Sequence, residues 1–204
     1  ALLRTDEPSL PHPGAVLDAA TRLGRLEELG RMIRARAAQP FVTLKDEPKL
    51  FVNLHVTDLL DPVLLSPSSP LTPIADRVVL EITERSSLDE VKDVRSRIAA
   101  LRELGFSIAV DDLGAGYAGL TSFTLLEPEI VKLDMSLVRD VHQNSTKQKV
   151  VRSMTQLAKD MGCMVVGEGV ECRAERDALV ELGCDLLQGF LFARPGRPFP
   201  EVTW

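Results

Sequence analysis

Short apolar segments alternate with amphipathic ones along most of this chain, and that alternation limits the folds open to it. Leu50–Leu54, Val78–Thr83, 107–111, 129–134, Met164–Gly167 and about 185–192 read as strands. Between them lie helical patterns. Val16, Leu23, Leu26, Leu29 and Ile33 fall on one face of a segment from Ala15 to about Ala38, with a break expected near Gly24 or Gly30. Ser87 and Glu90 form a capping box that opens a helix carrying Leu88, Val91, Val94, Ile98, Leu101 and Leu104, stopped at Gly105. A helical turn is expected around 120–125. A helix around 148–161 is expected to bury Val151, Met154 and Leu157 and stop at Gly162, and another at 173–182 ends before Gly183. The Pro- and Ser-rich segment 61–73 reads as a loop with at most a short helix, residues 5–13 as a loop, and Ala1-Leu-Leu-Arg4 as the end of a strand. Strand and helix in turn, joined by short connections, predict a parallel sheet. The count suits an α/β fold of the (β/α) TIM-like barrel type with its N-terminal strand region missing. An open doubly wound sheet is the alternative, but no GxGxxG follows the first strand and no GxxxxGK[ST] occurs.

Composition narrows the function classes. The 204 residues are 45% hydrophobic and 26% charged, as expected of a soluble globular domain. A net charge of −6 without a Lys/Arg-rich block argues against duplex nucleic acid as a partner. No apolar run reaches membrane-spanning length, and no signal-peptide pattern is present. Cys163, Cys172 and Cys184 lack paired spacing, so neither a disulfide framework nor a structural zinc site is indicated; they read as buried or incidental thiols of a reducing cytosol. His12, His55 and His142 are scattered and form no HExxH pair. Any chemistry here is carboxylate chemistry.

Ser107-Ile-Ala-Val-Asp-Asp-Leu-Gly-Ala-Gly-Tyr117 holds the most telling acids. A short apolar strand delivers Asp111 and Asp112 side by side to a Gly-rich turn. Adjacent carboxylates repel and lose hydration on burial, so a compensating positive charge is expected, most simply a divalent cation; taken alone, a turn with two solvated acids serves as well. The other strands decide between these readings. Asn53, Glu81, Asp111 with Asp112, Lys132, Glu168 and Gln188 each sit on or just after an apolar strand. Parallel strands of a barrel converge at their C-terminal ends on one mouth, where catalytic groups gather. Carboxylate and amide oxygens from several strands favour a site for a hard divalent ion.

The same stretches resemble the signatures of the EAL domain family, the cyclic di-GMP phosphodiesterases. Ala1-Leu-Leu-Arg4 looks like the tail of the motif that names the family. Phe51-Val-Asn53, Glu81-Ile-Thr-Glu84, Asp111-Asp-Leu-Gly-Ala-Gly-Tyr117, Lys132-Leu-Asp134, Gly167-Glu-Gly-Val-Glu171 and Gly183-Cys-Asp-Leu-Leu-Gln-Gly-Phe190 are similar to the remaining motifs, in family order. The resemblance covers essentially the whole chain and implies one barrel-type domain over residues 1–204. It implies that Asn53, Glu81 and Asp111, with a Glu expected to precede Ala1, hold one Mg2+ or Mn2+. Asp111 would bridge to a second ion held by Asp112, with Glu168 as a further ligand or as general base. Lys132 would orient the attacking water or stabilise phosphoryl charge. Arg4 would face a substrate phosphate, Glu84 would anchor the loop after Asp112, and Glu171 and Gln188 would fix the ligands from outside. The implied activity is metal-dependent hydrolysis of cyclic di-GMP to linear pGpG by a cytoplasmic domain that pairs as a homodimer. The alternative is a catalytically impaired cyclic di-GMP receptor or protein-interaction module. That alternative draws on Leu113, Ala115, Ala118 and Gly119, which stand where the family carries Phe, Thr, Ser and Ser. These changes predict a looser loop after the paired acids.

Overall fold

A computed structural model describes residues 1–44, 48–83, 88, 91–115 and 119–202, with the side chains of 119–121 left aside. The chain divides into two compact units, residues 1–81 with 87–107, and residues 82–86 with 108–204.

The first unit begins with two helices, α1 (Pro13–Arg22) and α2 (Leu26–Val42). The expected break falls at Gly24, whose φ of 66° lies in the left-handed region that glycine enters without steric cost. Strand β1 spans Leu50–Leu54 and β2 spans Val78–Thr83, as predicted, and the two are neighbours in the sheet. Between them lie two 3-10 turns, Val56–Leu60 and Thr72–Arg77; the Pro- and Ser-rich segment 61–73 runs as turns and bends until the second of them begins at its end. Residues 1–4 form no strand.

Arg34 of α2 is buried, at 3% exposure, and is clasped by Asp58 at 2.7 Å and by Asp61. Arg31 adds a second cation 2.7 Å from Asp61. Ions removed from water persist only when paired and hydrogen-bonded. Here the backbone N–H groups of His55 and Val63 also donate to Asp58 and Asp61, at 3.0 and 2.9 Å. The network fixes α2 to the segment after β1.

Helix α3 runs over Val94–Glu103, later than the predicted start. Ser87 and Glu90, the expected capping box, lie outside the described residues. Asp93 stands immediately before the helix at φ 58°, a left-handed conformation that cannot continue a helical turn, so Leu88 and Val91 are buried without belonging to α3.

The second unit carries β3 (Ser107–Leu113), β4 (Ile130–Leu133), β5 (Met164–Gly167) and β6 (Leu186–Leu187), consecutive, parallel neighbours. Its helices are α4 (Gly119–Leu126), α5 (Met135–Val138), α6 (Ser145–Asp160) and α7 (Arg173–Glu181). Val131, Leu133 and Val165 lie in one apolar core with Val151, Ala158 and Leu179 from the helices. Leu157, expected in that core, is 42% exposed; α6 turns Val151, Thr155 and Ala158 inward instead. Strand β6 is two residues long rather than eight. Gly189 passes so close to Val170 that a Cβ would sit 2.1 Å from the Val170 carbonyl oxygen, and the chain leaves the sheet there.

Candidate active site

Lys132 of β4 is buried beside two carboxylates of the second unit. Along β4, Val131 and Leu133 pack into the helical core, so the period-2 alternation sends Lys132 to the opposite face. Lys132 is 4% exposed; its ammonium donates to Asp111 Oδ1 at 2.9 Å and lies 2.6 Å from Glu168 Oε1. A buried ammonium needs such partners, since burial without them would leave its charge uncompensated. Glu168 follows β5 directly. Its backbone N–H donates to the Leu133 carbonyl at 3.2 Å, extending the ladder in which Leu133 faces Gly167.

The paired acids owe their placement to a break in register. Ala109 and Val110 face Ile130 and Val131, but Leu113 faces Leu133, so three steps along β3 match two along β4. This is a β-bulge, with its extra residue in the Asp111-Asp112 pair. In a regular strand neighbouring side chains point to opposite faces. Asp112, at φ 56°, breaks that alternation, and aspartate is among the few residue types that enter the left-handed region readily. As a result Asp111, Asp112 and Glu168 each offer a carboxylate oxygen within 4.8 Å of the others. The backbone N–H of Asp112 donates to Asp111 Oδ1 at 3.1 Å, and that of Ala115 to the Asp112 carbonyl at 3.1 Å. Three converging carboxylates with one buried cation between two of them form an all-oxygen donor set suited to a hard divalent ion.

Other expected positions fall as follows. Asn53 is exposed near the C-terminal end of β1, and Glu81 is buried, at 3% exposure, in the second half of β2; both lie in the first unit. Arg4 is exposed and donates to the Leu3 carbonyl at 2.7 Å. Glu84 lies outside the described residues, as do Gly116, Tyr117 and Ala118 of the loop. Leu113 is buried in the core of the second unit, filling with an aliphatic side chain the place where the family carries Phe. Gln188 is exposed, and its backbone closes the sheet edge: its N–H donates to Gly167 at 2.8 Å and its carbonyl accepts from Val170 at 3.1 Å.

Glu171 has a partner that the sequence did not reveal. Arg139, just after α5, donates to Glu171 Oε1 at 2.6 Å. The pair holds the Glu171 carboxyl below, and the Arg139 guanidinium above, their usual ranges. It ties the end of α5 to the segment that follows Glu168. The two lie thirty-two positions apart, and linear spacing carries no signal at that range.

The EAL domain model matches residues 1–195. Among curated relatives, the probable cyclic di-GMP phosphodiesterase PdeA of Escherichia coli is 36% identical over 157 residues, 74% of this chain and 21% of PdeA. Among solved structures, Klebsiella pneumoniae BlrP1 in complex with calcium and cyclic di-GMP superposes with a TM-score of 0.85 at 33% identity, over 99% of this chain and 52% of BlrP1. The FimX EAL domain of Xanthomonas citri, at 20% identity, shares the fold with a TM-score of 0.84 over 96% of this chain and 81% of its own. The barrel-like α/β class expected from strand–helix alternation is therefore the fold of this chain. Among the described residues, no helix is long and apolar enough to cross a membrane.

Proposed function

Because the chain belongs to the EAL domain family, we propose that it hydrolyses cyclic di-GMP to linear pGpG with the help of Mg2+ or Mn2+. The observation that carries this reading is the convergence of Asp111, Asp112 and Glu168 around the buried ammonium of Lys132. The divalent ions that such a donor set can hold would supply charge neutralisation and a more acidic water. Asp111 and Asp112 are the proposed ligands here, and the sequence resemblance would give Asn53 and Glu81 the same role.

In the proposed reaction a water oxygen bonds to one phosphorus of the cyclic dinucleotide. The bond from that phosphorus to its 3′ oxygen breaks, and the 3′ oxygen takes up a proton. Glu168 accepts the proton that the water gives up, and Lys132 holds the Glu168 carboxylate in place at 2.6 Å. The Lys132 ammonium would also stabilise the negative charge that grows on the phosphoryl oxygens. Arg4 would face a substrate phosphate, and Glu171 and Gln188 would fix the ligands from outside. We further propose that residues 1–204 act as one domain, in the cytoplasm and as a homodimer, in keeping with the sequence resemblance.

Incubation with cyclic di-GMP and Mn2+ or Mg2+, followed by chromatography, tests the reading. The expected product is pGpG, formed only with metal and at a rate reduced about 10²–10⁴-fold in Glu168→Gln. No product at any metal concentration would refute it. Tight binding in calorimetry without turnover would assign the chain to the receptor class instead.

A further inference from the structure

A second cluster of ligand-type side chains in the second unit uses none of the residues of the carboxylate centre. One imidazole nitrogen of His142, the sulfur of Cys172 and a carboxylate oxygen of Glu175 lie within 4.8 Å of one another. His142 sits in the 3-10 turn Val141–Gln143, Cys172 immediately precedes α7, and Glu175 belongs to the first turn of α7. Glu175 is only 2% exposed. Its carboxylate accepts from the Asp140 backbone at 3.0 Å, from Glu171 at 2.9 Å and from Cys172 at 3.3 Å, so the turn and the helix already meet through it.

His142 gives the cluster its direction. Its Nε2 lies 2.8 Å from the side-chain amide nitrogen of Gln143; with that amide turned so that its oxygen accepts from Nε2–H, Nδ1 presents a lone pair, and among the described residues Nδ1 is buried with no hydrogen-bond partner. A buried imidazole nitrogen without a partner is uncommon, because the lost hydration is returned by nothing. Neutral imidazole, thiolate and carboxylate together are the donors that Zn2+ and its borderline neighbours accept, while Mg2+ and Ca2+ prefer oxygen alone. We propose that His142, Cys172 and Glu175 bind a borderline divalent transition ion, Zn2+ by preference, which clasps the 141–143 turn to the start of α7. Donor atoms around tetrahedral zinc stand about 3.5 Å apart, so the three groups close by roughly an ångström on binding. Small rotations of the half-buried His142 and Cys172 side chains accommodate this, while Glu175 keeps its backbone partners. Three protein ligands leave a fourth position for water.

Titration of the chain with Co2+, in excess Mg2+ to satisfy the carboxylate centre, tests the site. The expected result is one equivalent of Co2+ bound with a thiolate-to-metal charge-transfer band in the near ultraviolet, lost when Zn2+ is added. Cys172→Ser should abolish the band without unfolding the chain, since serine is a favoured residue before a helix. His142→Ala should weaken binding roughly tenfold or more. Asp111→Asn should leave the band unchanged. Absence of the band, or its persistence in Cys172→Ser, which would place it on Cys163 or Cys184, overturns the proposal. Unaltered affinity in His142→Ala overturns it as well.

Discussion

Replacing Lys132 with methionine isolates the electrostatics of the carboxylate centre. Methionine keeps most of the aliphatic stem and removes the ammonium that lies 2.9 Å from Asp111 and 2.6 Å from Glu168. The side chains of the two acids are 11% and 15% exposed, so solvent screens little of the charge left behind. Removing one partner of a buried ion pair typically costs about 3–5 kcal/mol. For a domain of this length that corresponds to a fall in Tm of roughly 6–20 °C, measured in EDTA by circular dichroism. A divalent ion restores positive charge to the same carboxylates. At a concentration about 100-fold over the parent's Kd, Mn2+ stabilises the parent by about 2.7 kcal/mol, and the same concentration should recover much of the loss in the variant. Lys132→Met should gain more from Mn2+ than the parent chain does, because in the parent the ion shares those carboxylates with the ammonium. A variant as stable as its parent in EDTA would refute the reasoning, as would equal stabilisation of both by Mn2+.

Two further outcomes follow from local geometry. Asp112, at φ 56°, should tolerate asparagine, whereas Asp112→Ala should cost a further 1–2 kcal/mol or so of left-handed strain; urea denaturation of the two variants gives the difference, and equal stabilities would contradict the bulge. In the first unit, burial pushes the Asp61 carboxyl up, but the Arg31 hydrogen bond, the Val63 N–H and the nearby Arg34 charge together hold it below its usual range. A carboxyl depressed in the folded state stabilises above its unfolded value, and loses that contribution as pH falls through its lower folded value. The parent should therefore exceed Asp61→Asn by about 3 kcal/mol at pH 7, and the gap should narrow below about pH 4; a gap constant from pH 7 to pH 3 would be inconsistent with this origin.

How far the sequence could be read depended on the range of the interactions involved. Strands β1, β2 and β5 announced themselves by apolar runs with the expected bounds, because burial acts on consecutive residues. The register break at Asp111-Asp112 did not: the pair was visible, but its shared orientation depends on pairing with β4, which no local pattern encodes. The same limit hid the Arg139–Glu171 pair and the meeting of His142 with Cys172 and Glu175, where sequence spacing had argued against a metal site. Hydrophobic periodicity continues through Leu88 and Val91 while the backbone, turned at Asp93, does not, so α3 starts later than its periodicity predicts. Strand β6 was overextended because an apolar run does not reveal that Gly189 must pass against Val170.

The bulge in β3 also separates two kinds of change that evolution can make. Pairing resumes at once beyond it, with Leu113 opposite Leu133 and the Asp134 N–H donating to the Leu113 carbonyl at 3.1 Å. The carboxylates are thus pinned on both sides by sheet hydrogen bonds before the loop begins. Their placement therefore rests on β3 and β4 and not on the sequence beyond Ala115. On the proposed function, a lineage can vary the segment beyond the bulge while the acids that would hold the metal stay in place.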